Sequence, residues 1–333
     1  MSNTNYTFAV AYIRALETNL FSDSMMSQLA ACKTYEECVR FLQDKGWGNG
    51  QGSQDGDEIL SAERAKIWAV VNDLSVPMET FSVLSFPNVF HNLKTAIKES
   101  LAEAQHDEFY YENTSPSREE LREIVKQKSF DRLPPSMEHA AKEAYETLMH
   151  TKDGQLCDVI IDRACLEAIR KAAEDADEVI QIYAKITVAV ANIKTAVRCQ
   201  KTGKSMEFMM RALTACEGMQ PELLAKAALN GMESLCAYLS SSGYADAAEA
   251  LQISPFAFER WCDNYLIRML QPQKYETFQV GPIVAYIIAR ENEIKTAGII
   301  LAGKRNGLPE EFITERIREM YALLSYTYIS RIL

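Results

Sequence analysis

One short motif occurs three times in this chain, and that recurrence restricts the fold more than any bulk property. It reads His91-Asn92-Leu93-Lys94-Thr95-Ala96-Ile97, then Ala191-Asn192-Ile193-Lys194-Thr195-Ala196-Val197, then Asn292-Glu293-Ile294-Lys295-Thr296-Ala297-Gly298. Successive lysines stand 100 and 101 residues apart. Two copies of Leu/Ile-Lys-Thr-Ala are within the reach of chance; a third at the same interval marks an internal repeat, which has to be recognised before a fold is assigned. The chain reads as a triplication.

Each copy lies in a helical pattern. Ile182, Ile186, Val190, Ile193 and Val197 follow the spacing of one helix face, as do Val89, Leu93, Ile97 and Leu101 after a helix-starting Pro87, and Ile283, Ile287, Ile294 and Leu301 after Gly281-Pro282. Asn92, Thr95 and Ala96 share a side beside the apolar stripe, where small residues let another helix approach. Thr95, Thr195 and Thr296 with their alanines, and Asn92 and Asn192, therefore read as packing elements. The lysines are open to two readings, a solvated or ion-paired side chain and one of three equivalent contacts for a partner. A second element keeps the phase: Glu63-Arg64, Asp162-Arg163 and Glu259-Arg260 precede the repeat lysines by 30, 31 and 35 residues counted from Arg64, Arg163 and Arg260.

A chain of 333 residues exceeds what one core usually serves, so two or three domains are expected. The repeat sets the division at 1–134, 135–240 and 241–333, with breaks at Pro134-Pro135 and Ser240-Ser241-Ser242-Gly243. Helices are expected within 6–43 (one stripe being Phe8, Tyr12, Ala15, Leu16 and Leu20), and over 58–74 and 87–105. In the middle third they fall over 137–150, 156–176, the second repeat helix, 206–213 and 221–239. The last third has 246–252, 255–270, the third repeat helix, and 309 to the C-terminus. Ser117 with Glu120 three residues on is a helix start. The glycine-rich stretch 46–57 reads as an exposed loop. No strand alternation appears, so the fold class is all-α.

The net charge of −11 argues against nucleic acid and against simple adhesion to an anionic membrane surface. The best apolar run, 282–289, covers eight residues where a bilayer needs about 20. The N-terminus has no basic region before its first apolar residues, so no signal peptide is expected. Eight cysteines without a Cys-x-x-Cys pair suit reduced thiols in a cytoplasmic protein.

Motifs with chemistry fail on inspection. Thr202-Gly203-Lys204-Ser205 resembles a P-loop tail, but Arg198 stands where the first glycine is required, and a helix rather than a strand precedes it. Gly48-Asn49-Gly50-Gln51-Gly52 lacks a strand–turn–helix setting, and Gln54-Asp55-Gly56-Asp57-Glu58 lacks calcium-loop spacing. The four histidines form no ligand pair, and His91 reads as a core or ring-edge histidine. Glu119-Glu120 and Glu310-Glu311 suit helix first turns. No catalytic, metal or cofactor site is expected.

The third repeat carries a resemblance. Residues 281–295, Gly-Pro-Ile-Val-Ala-Tyr-Ile-Ile-Ala-Arg-Glu-Asn-Glu-Ile-Lys, and 299–311, Ile-Ile-Leu-Ala-Gly-Lys-Arg-Asn-Gly-Leu-Pro-Glu-Glu, are similar to the C subunit of archaeal and bacterial A/V-type ATPases, the counterpart of the d subunit of the eukaryotic vacuolar ATPase. His91-Asn92-Leu93-Lys94 and the stretch from Asn192 to Arg198 match the same family's repeated motif. The resemblance spans the chain, strongest over 281–313. Gly281 departs from it, since an acidic residue is common there, and the 46–58 insert has no clear counterpart. It implies three similar helical domains in a funnel around a pseudo-threefold axis. It also implies a non-catalytic rotor subunit, one copy per hetero-oligomeric complex, held peripherally on the cytoplasmic face of the membrane. Its implied partners are the central-stalk D and F subunits and the proteolipid ring, with no nucleic acid, no direct nucleotide and no cofactor. Candidate partner contacts are Lys94, Lys194, Arg198, Lys295, Lys304 and Arg305. A free helical adaptor binding soluble partners is the alternative.

Overall fold

The computed structural model describes residues 6–50, 55–74, 76–101 and 105–322. Among the described residues the regular elements are helical, with one isolated bridge between Cys216 and Met219. In chain order the helices are α1 (Thr7–Glu17), α2 (Asp23–Ala31), α3 (Tyr35–Asp44), α4 (Gly56–Asp73), α5 (Ser82–Glu99), α6 (Arg118–Gln127), α7 (Pro135–Thr151) and α8 (Gly154–Ala172). Then follow α9 (Glu178–Thr202), α10 (Met206–Ala212), α11 (Pro221–Leu229), α12 (Met232–Ser241), α13 (Ala245–Ile253), α14 (Pro255–Met269), α15 (Gly281–Arg305) and α16 (Glu310–Thr314). The three repeat motifs lie on α5, α9 and α15.

The chain forms two compact units, one from Met1–Met78 with Glu249–Leu333 and one from Glu79–Ala248. In the first, α15 is the core element, with α1, α2, α3, α4, α14 and α16 packed on it. Every residue from 281 to 290 is buried, the mark of a helix enclosed on all sides. Pro282 sits in its first turn, where a missing N–H costs nothing. Gly303 lets α16 close on it: a Cβ there would lie 2.6 Å from Ile313 Cγ1.

In the second unit α8 is central, contacting α5, α7, α9 and α10, while α9 also carries α11 and α12, and α6 lies on α5. Local chemistry sets the ends. Ser117 and Glu120 form the expected capping box on α6. Gly203, at φ +63°, ends α9, and Ser205 caps α10 by accepting from Phe208 N–H, so the P-loop-like tetrapeptide is a helix-to-helix joint.

Several expectations are corrected. The first repeat helix starts at Ser82, not Pro87; the proline sits inside α5, which also ends at Glu99 rather than near 105. The stretch 221–239 is two helices, broken at Gly231, whose φ of +110° no helix continues through. On α1 the buried side is Ala9, Val10, Ile13 and Glu17, while Phe8 is 74% exposed and Tyr12 41%. This helix has apolar residues on both faces, and spacing alone selected the outer one. In the glycine-rich stretch, Trp47 and Gly48 are buried and Gly56 opens α4 behind the Asp55 cap; 51–54 lie outside the described residues. Of the helix expected from 309 onward, α16 covers five residues, and 323–333 lie outside the described residues.

Candidate functional site

The motif asparagines hold backbone. On α5, buried Asn92 donates through Nδ2 to Tyr111 O at 2.8 Å and to Thr114 Oγ1 at 2.9 Å, and its Oδ1 accepts Tyr111 N–H at 2.8 Å. On α9, buried Asn192 donates to Thr214 O at 2.7 Å and accepts Thr214 N–H at 3.0 Å. A carboxamide presents one donor edge and one acceptor edge, so it replaces a missing peptide partner for both groups of one residue. On α15 Glu293 stands two residues before the lysine, and the grip is shared. Asn292 donates to Glu319 O at 2.9 Å, and Asn264 of α14 accepts Glu319 N–H at 2.9 Å.

Two of the three phased arginines act on the same segments. Arg163 of α8 donates to Met210 O at 3.2 Å and Arg260 of α14 to Glu315 O at 3.0 Å. Each carbonyl lies four residues before the residue its asparagines hold. Arg64 of α4 is exposed and lies near Glu291. Thr95 and Thr296 turn their hydroxyls back to the carbonyls of His91 and Asn292, at 3.0 and 2.8 Å. His91 sits edge-on to the Tyr111 ring, 5.1 Å between centroids, as expected.

In the 79–248 unit, α5, α8 and α9 leave a groove of about 500 Å³, lined among others by Lys94, Lys194, Thr195, Arg198, Asp158 and Asp162. Lys94 donates to Asp162 Oδ1 at 2.7 Å, and Lys98 lies 2.6 Å from Asp158 Oδ1. Lys204, also on the groove, donates to Gln155 Oε1 at 2.5 Å. Arg198 is exposed and has no ion pair among the described residues. The fold thus brings Lys94, Lys194 and Arg198 to one groove. Lys295, Lys304 and Arg305 belong to the other unit. There Lys295 bonds both oxygens of Asp263 at 2.8 Å. Arg305 bonds Asp57 Oδ2 at 2.8 Å and Tyr35 Oη at 2.6 Å, its guanidinium 4.8 Å from the Tyr35 ring centre. Lys304 is half-buried and has no ion pair among the described residues.

Sequence reasoning missed a buried charge cluster in the first unit, although Arg290 and Glu293 stood in plain view, three residues apart inside an apolar helix. Arg290 bonds Glu63 Oε2 at 2.5 Å and the Glu293 carboxylate. Glu63 Oε1 accepts Gly48 N–H at 2.8 Å and Lys66 Nζ at 2.6 Å, and Glu293 Oε1 accepts Phe21 N–H at 2.5 Å. Arg290 also lies 5.1 Å from the Trp47 ring centre. Burial pushes the Glu293 carboxyl above its ordinary range against the pull of Arg290. The charges are spent on one another and on backbone, which ties the glycine-rich stretch to α4 and α15.

Burial raises the thiols of Cys165 to about 12 and Cys157 to about 11, which keeps both protonated and unreactive. Among the described residues no three His, Cys, Asp or Glu side chains are placed to hold a metal ion, and no helix is long and apolar enough to cross a membrane.

Comparison with known proteins gives a consistent result. Residues 9–316 match the family model described as ATP synthase (C/AC39) subunit. The C subunit of the V-type sodium ATPase of Enterococcus hirae is 24% identical over 93% of this chain and 97% of its own. The C subunit of the A-type ATP synthase of Methanocaldococcus jannaschii is 24% identical over 92% and 84%, and that of Thermococcus kodakarensis 20% over 95% and 91%.

Proposed function

From the premise that this chain belongs to the ATP synthase (C/AC39) subunit family, we propose that it is a rotor part coupling the central-stalk D and F subunits to the membrane proteolipid ring. Membership makes it a subunit of a V/A-type rotary ATPase, a structural one and not the catalytic one, peripheral to the membrane. The observation that carries the reading is a family match running through all three repeat helices.

Torque transmission asks for a body that does not yield between its two attachments, so its loops have to be bound as firmly as its helices. The amide clamps of Asn92, Asn192 and the Asn264–Asn292 pair tie down the segments that follow each repeat helix. They also support the proposal of three similar domains. Distributed polar contacts resist slip, and Arg198 and Lys304, which have no internal ion pair among the described residues, are the first choices for them.

The test is a tagged pull-down from gently solubilised native membranes with every co-purifying subunit identified by mass. Recovery of the proteolipid ring together with central-stalk subunits is expected, and recovery of soluble partners alone would replace the rotor with an adaptor. Arg198→Glu and Lys304→Glu should each lower the recovery of one partner several-fold while leaving the melting temperature unchanged.

A further inference from the structure

The groove between α5, α8 and α9 changes character along its length. The Lys94–Asp162 and Lys98–Asp158 pairs match rising positions on α5 with falling positions on α8, so those two helices run antiparallel. Lys204, just past the end of α9, bonds Gln155 at the start of α8, so α9 is antiparallel to α8 as well. On α9 the groove is lined from Thr187 to Thr202, fifteen residues, or about 22 Å of helix. At the Gln155 end stand Lys194, Arg198, Thr202 and Lys204. At the opposite end the walls are Phe90, Leu166, Ile169 and Ala191, with no Lys, Arg, Asp or Glu among the lining residues.

The charged end also carries more cation than its carboxylates neutralise. Lys94, Lys194, Arg198 and Lys204 line the groove against Asp158 and Asp162, an excess of two positive charges in a chain of net charge −11. Both carboxylates are engaged on the α5 side, by Lys94 and Lys98. Arg198 has no ion pair among the described residues, and Lys204 bonds a neutral carboxamide.

We propose that this groove binds one single-chain amphiphile, a phosphate monoester on an aliphatic chain. Such a head carries about −1.5 to −2 charge at pH 7 with three acceptor oxygens, which matches the cationic excess. The Arg198 fork and the Lys204 ammonium hold it, with Lys194 one helical turn before Arg198. The tail lies toward Leu166 and Ala191, both partly exposed, and covering them removes apolar surface from water. A groove of about 500 Å³ falls within the roughly 300–1,000 Å³ of small-molecule sites. The site lies wholly within the 79–248 unit and needs no other subunit, so it stands apart from the rotor reading.

The experiment titrates the full-length protein with decyl phosphate, below its micelle-forming concentration, by isothermal calorimetry at low salt. Decan-1-ol, decanoate and inorganic phosphate are separate arms. The expected result is one decyl phosphate per chain, with decan-1-ol and inorganic phosphate each weaker by about ten-fold or more and decanoate in between. Arg198→Ala combined with Lys204→Gln should cost about ten-fold in affinity for decyl phosphate at an unchanged melting temperature. Leu166→Asn should weaken decyl phosphate several-fold through the tail alone. Several molecules bound per chain, no saturable heat, or a double variant that binds like wild type overturns the proposal. So does saturable binding of an acidic Leu/Glu helical peptide in place of decyl phosphate, which would make the occupant a protein helix.

Discussion

A buried carboxamide is costly unless both of its edges are used, and Asn192 uses both on the backbone of Thr214, 22 residues ahead. Asn192→Ala leaves that N–H and C=O enclosed without partners, at roughly 1–3 kcal/mol for each orphaned group. The expected outcome is about 2–4 kcal/mol lost in urea unfolding with little change in helical content. Exposed Arg198→Ala on the same helix should stay within roughly 0.5 kcal/mol. A loss at Asn192 no larger than at Arg198 would mean the clamp contributes nothing. Spacing showed that Asn92 and Asn192 share a face with small residues, which places them but does not say what they hold. Their partners are main-chain groups outside the helix, and main chain carries no residue signature. The lysines stayed open between two readings in the sequence; in the fold Lys94 and Lys295 pair with aspartates, a choice of partner that depends on how the helices pack.

Helices were legible where pattern and punctuation agreed, as on α6 with its capping box and α9 with its terminal glycine. They were misread where an apolar helix has two candidate faces, as on α1, or where a proline stands inside rather than at the start, as on α5. The C-terminal end of α5 is held by a tie that no periodicity reports. Glu99 accepts two bonds from Arg122 of α6, at 2.8 and 2.9 Å, with Tyr110 Oη–H at 2.7 Å and His106 N–H at 2.8 Å. Burial alone would raise its carboxyl; the Arg122, His106 and Tyr110 hydrogen bonds outweigh it and hold the group at about 2, against an ordinary 4.5. A group depressed in the folded state stabilises fully above its unfolded value and loses that contribution as pH falls toward the folded one. Glu99→Gln should therefore cost roughly 2–3 kcal/mol at pH 7, and the gap to wild type should close between about pH 4.5 and 2. Melting both proteins at pH 7 and pH 3 checks this; a gap that does not shrink at pH 3 would assign the loss to packing rather than charge.

At the scale of the molecule the repeat and the contacts divide the chain differently. The period of the motif cuts at 134/135 and 240/241. Packing joins α5, from the first third, to α7 and α8 of the second, and the Lys94–Asp162 pair ties α5 to α8. A sequence period records only where similar short stretches recur, whereas a folding unit is whatever buries enough apolar surface to offset the entropy of ordering it. The continuous segment 79–248 holds both of the first two repeat helices together with their clamped segments. Expressed alone, it should unfold in one cooperative transition with the helical content expected of α5 to α12. The segment 135–240 leaves the α5-facing sides of α7 and α8 open to water, so it should be helical yet melt over a broad range. If 135–240 instead unfolds as sharply as 79–248, each third is an independent domain, and the α5 contacts are an interface between domains rather than part of one core.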